Sequence, residues 1–157
     1  MRNGQDLIVV AAMSQRVEGF QRTFAADLFS VRDALRGAVA RFARRMSADD
    51  AGTLELVLAE VLNNIVEHGY RDIAAGPIRI ELRHAGAWLD CRIEDSGHPM
   101  PNLAPPDRPL PPADVAIADL AEGGWVWVLI RELTIDLRYE RENGRNCLRF
   151  RVPLTQS

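Results

Sequence analysis

Lysine is missing altogether: all 19 basic residues of this 157-residue chain are arginine. Any charge on a bound phosphate must therefore be met by guanidinium or backbone groups. Against 22 acidic residues the net charge is −3, so no basic footprint argues for nucleic acid and no basic cluster for a membrane surface. Cysteine is nearly missing too. Cys91 and Cys147 stand alone on strand-like segments, which excludes a disulfide scaffold and leaves no metal-ligand spacing. Long apolar runs are also absent. The longest early one, residues 7–13, is far short of the roughly 20 residues that a membrane span needs. It is weak as a signal-peptide core, with one arginine before it and no small-x-small cleavage site after it. These absences imply a cytoplasmic protein with no membrane partner and no direct nucleic-acid partner. The chain is long enough for one domain with a real core and too short for two comfortable ones. Residues 1–17 are expected to form an extra strand or a loosely attached arm, and 18–157 the domain.

What is present is periodicity. Residues 20–28 have short-strand character, and 31–45 place Val31, Leu35, Val39 and Phe42 on one side with arginines on the other, a helical spacing. Ser47 followed by Asp50 resembles a capping box, after which Leu54, Leu58, Val61 and Ile65 make a core stripe ending at Gly69. Ile78, Ile80 and Leu82 alternate with charged residues, Leu89, Cys91 and Ile93 repeat the pattern, and Gly86 lies in the hairpin between. Residues 135–140 and 147–152 predict a second hairpin around Asn143-Gly144. Between the hairpins, residues 96–123 hold seven of the nine prolines, so no long helix or strand can persist there. A loop of that length in a compact domain suggests a lid, and the apolar stretch 115–120 would let it dock. A helix opening at Gly123-Gly124 and running to Leu133 follows. Hairpin-joined strands with helices able to lie on one face describe an α+β, two-layer α/β sandwich with a mixed or antiparallel sheet.

Glu60, Asn64 and His68 fall four residues apart on the second helix, so they share a face if the helix is regular. Taken alone, Glu60 reads more simply as a solvated helix residue. Asn63 and Asn64 are harder to dismiss, because asparagine is a poor helix former; an oxygen ligand for Mg²⁺ would explain Asn64. A carboxylate one turn earlier is placed to take a proton from an attacking hydroxyl or water. His68 suits a phosphate-facing role and a helix C-terminal capping role equally. Asp95 ends a strand before Ser96-Gly97, which alone is only a turn, but a strand-end carboxylate facing a pocket can accept the exocyclic amine of adenine. Gly123-Gly124 would let backbone N–H groups approach phosphates, and serves equally as a lid hinge.

In this order the residues resemble a known set. Glu60-x-x-Asn63-Asn64-x-x-x-His68-Gly69-Tyr70 is similar to the N box, Ile93-Glu94-Asp95-Ser96-Gly97 to the first glycine box, and Gly123-Gly124-x-x-x-x-Leu129-Ile130-Arg131 to the second, of the histidine-kinase-like (GHKL) ATPase superfamily. The His-Gly-Tyr ending looks most like the anti-sigma-factor serine kinases. The resemblance covers about residues 20–154 and implies a Bergerat-type ATP-binding fold. It implies that Glu60 is the catalytic base, that Asn64 binds Mg²⁺, that His68 lines the phosphate end, that Asp95 recognises adenine, that Gly97 lets the base approach, and that Gly123 and Gly124 contact phosphates. It also implies ATP and Mg²⁺ as cofactors, a sequestered sigma factor, an anti-sigma-factor antagonist (a STAS-type domain) phosphorylated on serine, and a homodimer.

There are two departures from the family pattern, of which the second keeps another function open. Gly97-His98-Pro99 stands where the family usually has Gly-x-Gly, and Gly124-Trp125-Val126-Trp127 stands where it tends to have Gly-Gly-Leu-Gly. A Cβ at Val126 crowds a backbone approach that glycine exists to permit. The alternative is therefore a catalytically impaired module of the same fold that regulates a sigma factor or similar partner by binding only. A histidine-kinase catalytic fragment is disfavoured, since no helix bearing a phospho-accepting histidine precedes the domain.

Overall fold

The computed structural model describes residues 18–107 and 125–155. They form β1 (Gly19–Ala25), α1 (Leu28–Phe42), α2 (Ala48–Asn64), β2 (Pro77–Ala85), β3 (Trp88–Asp95), α3 (Val126–Leu133), β4 (Ile135–Glu142) and β5 (Arg145–Pro153). The strands make one sheet in the order β1-β2-β3-β5-β4, and every described pairing is antiparallel. Both predicted hairpins are present. Asn143 and Gly144 take positive φ values of 52° and 75°, the left-handed conformation that a two-residue hairpin turn requires.

Alternation along the strands decides which face is buried. Ile78, Ile80 and Leu82 on β2, Leu89, Cys91 and Ile93 on β3, and Leu148, Phe150 and Val152 on β5 point into one core with Leu54, Leu58, Val61 and Leu62 of α2. The charged residues between them form the opposite sheet face, where Arg92 pairs with Glu94 and Arg151 with Asp90. This is the two-layer α+β arrangement that the periodicity implies. Truncating Leu58, which is fully buried, is expected to cost about 2–5 kcal/mol.

The alternation also carries polar residues inward. Asp95 continues the phase of Leu89, Cys91 and Ile93, Asn146 begins that of Leu148, Phe150 and Val152, and the two are direct partners across β3 and β5. One buried polar pair thus sits at the end of an otherwise apolar face.

Several boundaries differ from the sequence reading. The first helix begins at Leu28 rather than residue 31, because the Asp27 carboxylate accepts from the Ser30 amide at 2.7 Å and caps it there. Ser47 caps α2 through the Asp50 amide (3.1 Å), yet Asp50 does not complete a capping box. Its carboxylate instead accepts from the Thr155 amide and hydroxyl at 2.8 and 2.9 Å, tying the chain after β5 to the start of α2. The second helix is not regular to Gly69. It gives way at Ile65 to a π-helical turn, Ile65–Gly69, closed by the Tyr70 amide donating to the Ile65 carbonyl at 3.1 Å. Such wider turns concentrate at functional sites. The arm at 1–17, the lid from 108 onward and Gly123-Gly124 lie outside the described residues.

Candidate nucleotide-binding site

A cavity of about 460 Å³ opens between the end of α2, the ends of β3 and β5, the start of α3 and the loop that follows β3. Its polar lining includes Asn64, His68, Arg71, Asp95 and His98, and its apolar lining includes Ile65, Met100, Val126, Trp127 and Leu148. Mostly apolar walls with a few convergent polar groups are the usual make-up of a small-molecule site.

Asp95 is the buried carboxylate in it. Its Oδ1 accepts from the Gly97 amide and the Asn146 side-chain amide, both at 2.9 Å, while Oδ2 has no hydrogen-bond partner among the described residues. Burial pushes its carboxyl above the ordinary range, opposed by the donors from Asn146 and Gly97 and by the Arg141 charge. A desolvated carboxylate with one oxygen saturated and the other free is an acceptor waiting for a donor.

The groups that hold Asp95 were not visible as a motif. Asn146 donates to Asp95 and to the carbonyls of Gly97 (3.2 Å) and His98 (2.9 Å), and its own oxygen accepts from the Tyr139 hydroxyl and from Arg141 at 2.7 Å. Arg141 also donates to the Gly97 carbonyl at 2.9 Å, and the Tyr139 hydroxyl accepts from the Met100 amide at 3.0 Å. The available signal was an asparagine in phase with three buried residues, at a strand position where an apolar residue is expected.

Gly97 does not line the cavity. A Cβ there would stand 2.6 Å from the Gly69 carbonyl carbon, so this glycine lets the loop after β3 close on the end of α2. The His98 amide donates to that same Gly69 carbonyl at 2.6 Å. Tyr70, the last residue of the His-Gly-Tyr triplet, is buried, donates to the Pro77 carbonyl and accepts from the Ser96 amide, both at 2.8 Å. It is a structural pin between α2, β2 and the loop.

At the α2 end the residues are looser. Asn64 and His68 both line the cavity despite the change of helix type between them. His68 is exposed and its Nδ1 lies 3.2 Å from the Arg71 guanidinium. Glu60 is half-buried one turn before Asn64 and does not line the cavity. Neither Glu60 nor Asn64 makes a side-chain hydrogen bond or ion pair among the described residues. No described cluster of three or more His, Cys, Asp or Glu is placed to hold a metal. That donor set suits Mg²⁺ only as the ion is used with nucleotides, held by one or two protein oxygens while substrate phosphates and water supply the rest. Asn64 is the residue that fits. Val126 lines the cavity, so a branched side chain forms part of its wall at this position.

A sheet covered on one side by helices, with a cavity at the strand ends and a strand-end carboxylate inside it, defines a two-layer α/β sandwich with a candidate small-molecule site. A model of the histidine kinase-like ATPase domain family matches residues 24–152, and the chain belongs to that family. Its fold is similar to the RsbU and RsbW domains of a Mycobacterium tuberculosis protein, with a TM-score of 0.63 and 16% identity over 88% of this chain and 33% of that one. Further similarity is to a blue-light activated histidine kinase of Erythrobacter litoralis (TM-score 0.49, 22% identity, 71% of this chain and 33% of that one). Another is the histidine kinase AdeS of Acinetobacter baumannii (TM-score 0.44, 12% identity, 97% and 75%). This chain spans about a third of the length of the first two. No curated protein matches it. Among the described residues no helix is long and apolar enough to cross a membrane.

Proposed function

We propose that this protein is an ATP-dependent protein serine kinase that also acts as an anti-sigma factor, sequestering a sigma factor and phosphorylating a STAS-type antagonist. The observation that carries the reading is that Asn64 and Asp95, from separate elements, line one cavity with Glu60 one turn before Asn64. Asp95 accepts the adenine amine through its free oxygen. Asn64, together with the phosphates of a bound nucleotide, would hold Mg²⁺, whose charge would offset that of the transferring group. Glu60 takes the proton from the attacking serine hydroxyl. Because Glu60 stands outside the cavity, the hydroxyl must come from that side, which suits a protein substrate laid across the mouth. Leu28 and Phe29, 62% and 83% exposed at the start of α1, offer apolar surface for a partner or for a second copy in a homodimer.

The second reading, a module that binds partners without turnover, is favoured by Val126 in the cavity wall. Transfer of label from γ-labelled ATP to candidate antagonists, in wild type and Glu60→Gln, separates the two. Transfer that Glu60→Gln abolishes supports the kinase; partner binding without transfer in wild type supports the binding module.

A further inference from the structure

Asp95 is held by groups that the functional reading leaves without a task. Arginine can only donate hydrogen bonds, so Arg141, 2.7 Å from Asn146 Oδ1, fixes which way the Asn146 amide points. Turned over, that amide would aim its oxygen at the Asp95 carboxylate and at the carbonyls of Gly97 and His98, three acceptors at once. Asn146 is therefore an obligatory donor to Asp95 Oδ1. With Oδ1 facing two donors, any proton that Asp95 gains must sit on Oδ2, the oxygen left for the ligand. An ionised Oδ2 takes an amino group; a protonated one is itself a donor and takes a keto oxygen. The charge state of Asp95 thus decides which base fits.

We propose that Arg141 and Tyr139, acting through Asn146, are positioning residues that keep Asp95 an ionised, single-rotamer acceptor and so set the preference of this cavity for a base with an amino group over one with a keto group in the same place. The inference rests on the nucleotide reading. Burial of Asp95 favours its neutral form, and the Arg141 cation and the Asn146 donor oppose that. The network holds no spare group: Asn146 is 4% exposed and both its polar atoms are engaged. The other titratable and charged groups around Asp95 are Tyr70, from the turn after α2, His68, Arg71 and His98, which line the same cavity, and Arg79, Glu94 and Arg145, which line a second pocket with it. All seven are common to wild type and variants, so a difference between them isolates the relay.

The test combines ADP and GDP titrations between about pH 5.5 and 8.5 with a carboxyl ¹³C NMR titration of Asp95 in nucleotide-free protein, for wild type, Arg141→Met, Arg141→Lys and Tyr139→Phe. Arg141→Met should move the Asp95 titration to higher pH and lower the ADP-over-GDP ratio about tenfold, the scale of one hydrogen bond to a charged group, most strongly at the acid end. Lysine at 141 should restore part of both effects, and Tyr139→Phe should shift them less in the same direction. A uniform weakening of both nucleotides, with the Asp95 titration unmoved, would make these residues structural only and overturn the proposal. A wild type that binds no ADP overturns the selectivity claim along with the nucleotide reading, and the NMR titration then decides the relay separately.

Discussion

The two ends of the cavity are built differently. At the strand end, Asp95 and Asn146 are buried, tied to Gly97 and His98 of the loop and backed by Tyr139 and Arg141. At the α2 end, Glu60 and Asn64 have no side-chain partner among the described residues and His68 is exposed. Buried polar groups must be paired within the fold, so the strand end is fixed before any ligand arrives. Groups near a helix end that lack partners in the fold can wait for one. The strand end is preorganised, and in the proposed function the α2 end, which would meet phosphate and metal, is completed by what binds.

The largest expected effect falls on the looser end. Loss of a general base typically lowers rate 10²- to 10⁴-fold, so Glu60→Gln should retain nucleotide and partner yet transfer almost no phosphate, read by label incorporation. Equal transfer in both proteins would remove Glu60 from the chemistry and leave the α2 end with a binding role alone.

The fixed end should respond in affinity. Asp95→Asn should weaken Mg-ADP binding by about 1.5–3 kcal/mol, the scale for a hydrogen bond to a charged group, measured by calorimetry. The same substitution should have the opposite effect on the ligand-free fold. Because the Asp95 carboxyl is raised by burial, the folded protein holds that proton more readily than the unfolded chain. The ionised group therefore costs stability above its raised pKa, and the cost fades as pH falls through that value towards the ordinary carboxylate range. Asparagine keeps an oxygen for the Gly97 and Asn146 donors. Thermal melts should then show the variant more stable near pH 7–8, with the advantage shrinking in acid; a constant difference would contradict the burial argument.

Gly97→Ala tests whether the two ends are joined through backbone. A Cβ directed at the Gly69 carbonyl must push the loop from α2, an overpacking cost of about 1–3 kcal/mol, visible as a lower denaturation midpoint. An unchanged midpoint would mean that the loop closes loosely. The smallest effect is spectroscopic. Trp127 is buried in the cavity wall, so its emission should change when nucleotide enters; unchanged emission with binding shown independently would make it a core residue only.

The difference between the ends also explains what was legible beforehand. Alternation exposed β2, β3, β5 and the inward phase of Asp95, because a half-buried antiparallel strand writes its burial into every second residue. The spacing of Glu60, Asn64 and His68 suggests one shared face, and the structure brings Asn64 and His68 to one cavity but leaves Glu60 outside it; the π-turn at Ile65 was not legible, since nothing in local composition distinguishes a five-residue turn from a four-residue one. Asn146, Tyr139 and Arg141 were missed because their roles arise from cross-strand register, which pairs residues 51 positions apart. The resemblance assigns Gly97 to the approach of a base, and the close packing of Gly97 on the Gly69 carbonyl was not legible, because it depends on how the loop after β3 meets the end of α2. The start of α1 was placed late because Asp27 was read as strand rather than as a cap.

The central claim, that the cavity is an adenine-nucleotide site anchored by Asp95, is tested most directly by calorimetric titration of wild type and Asp95→Asn with Mg-ADP and Mg-GDP. The account predicts that wild type binds Mg-ADP in preference to Mg-GDP and that Asp95→Asn loses most of that preference. No heat with millimolar Mg-ADP, or an ADP affinity indifferent to the substitution, would contradict it.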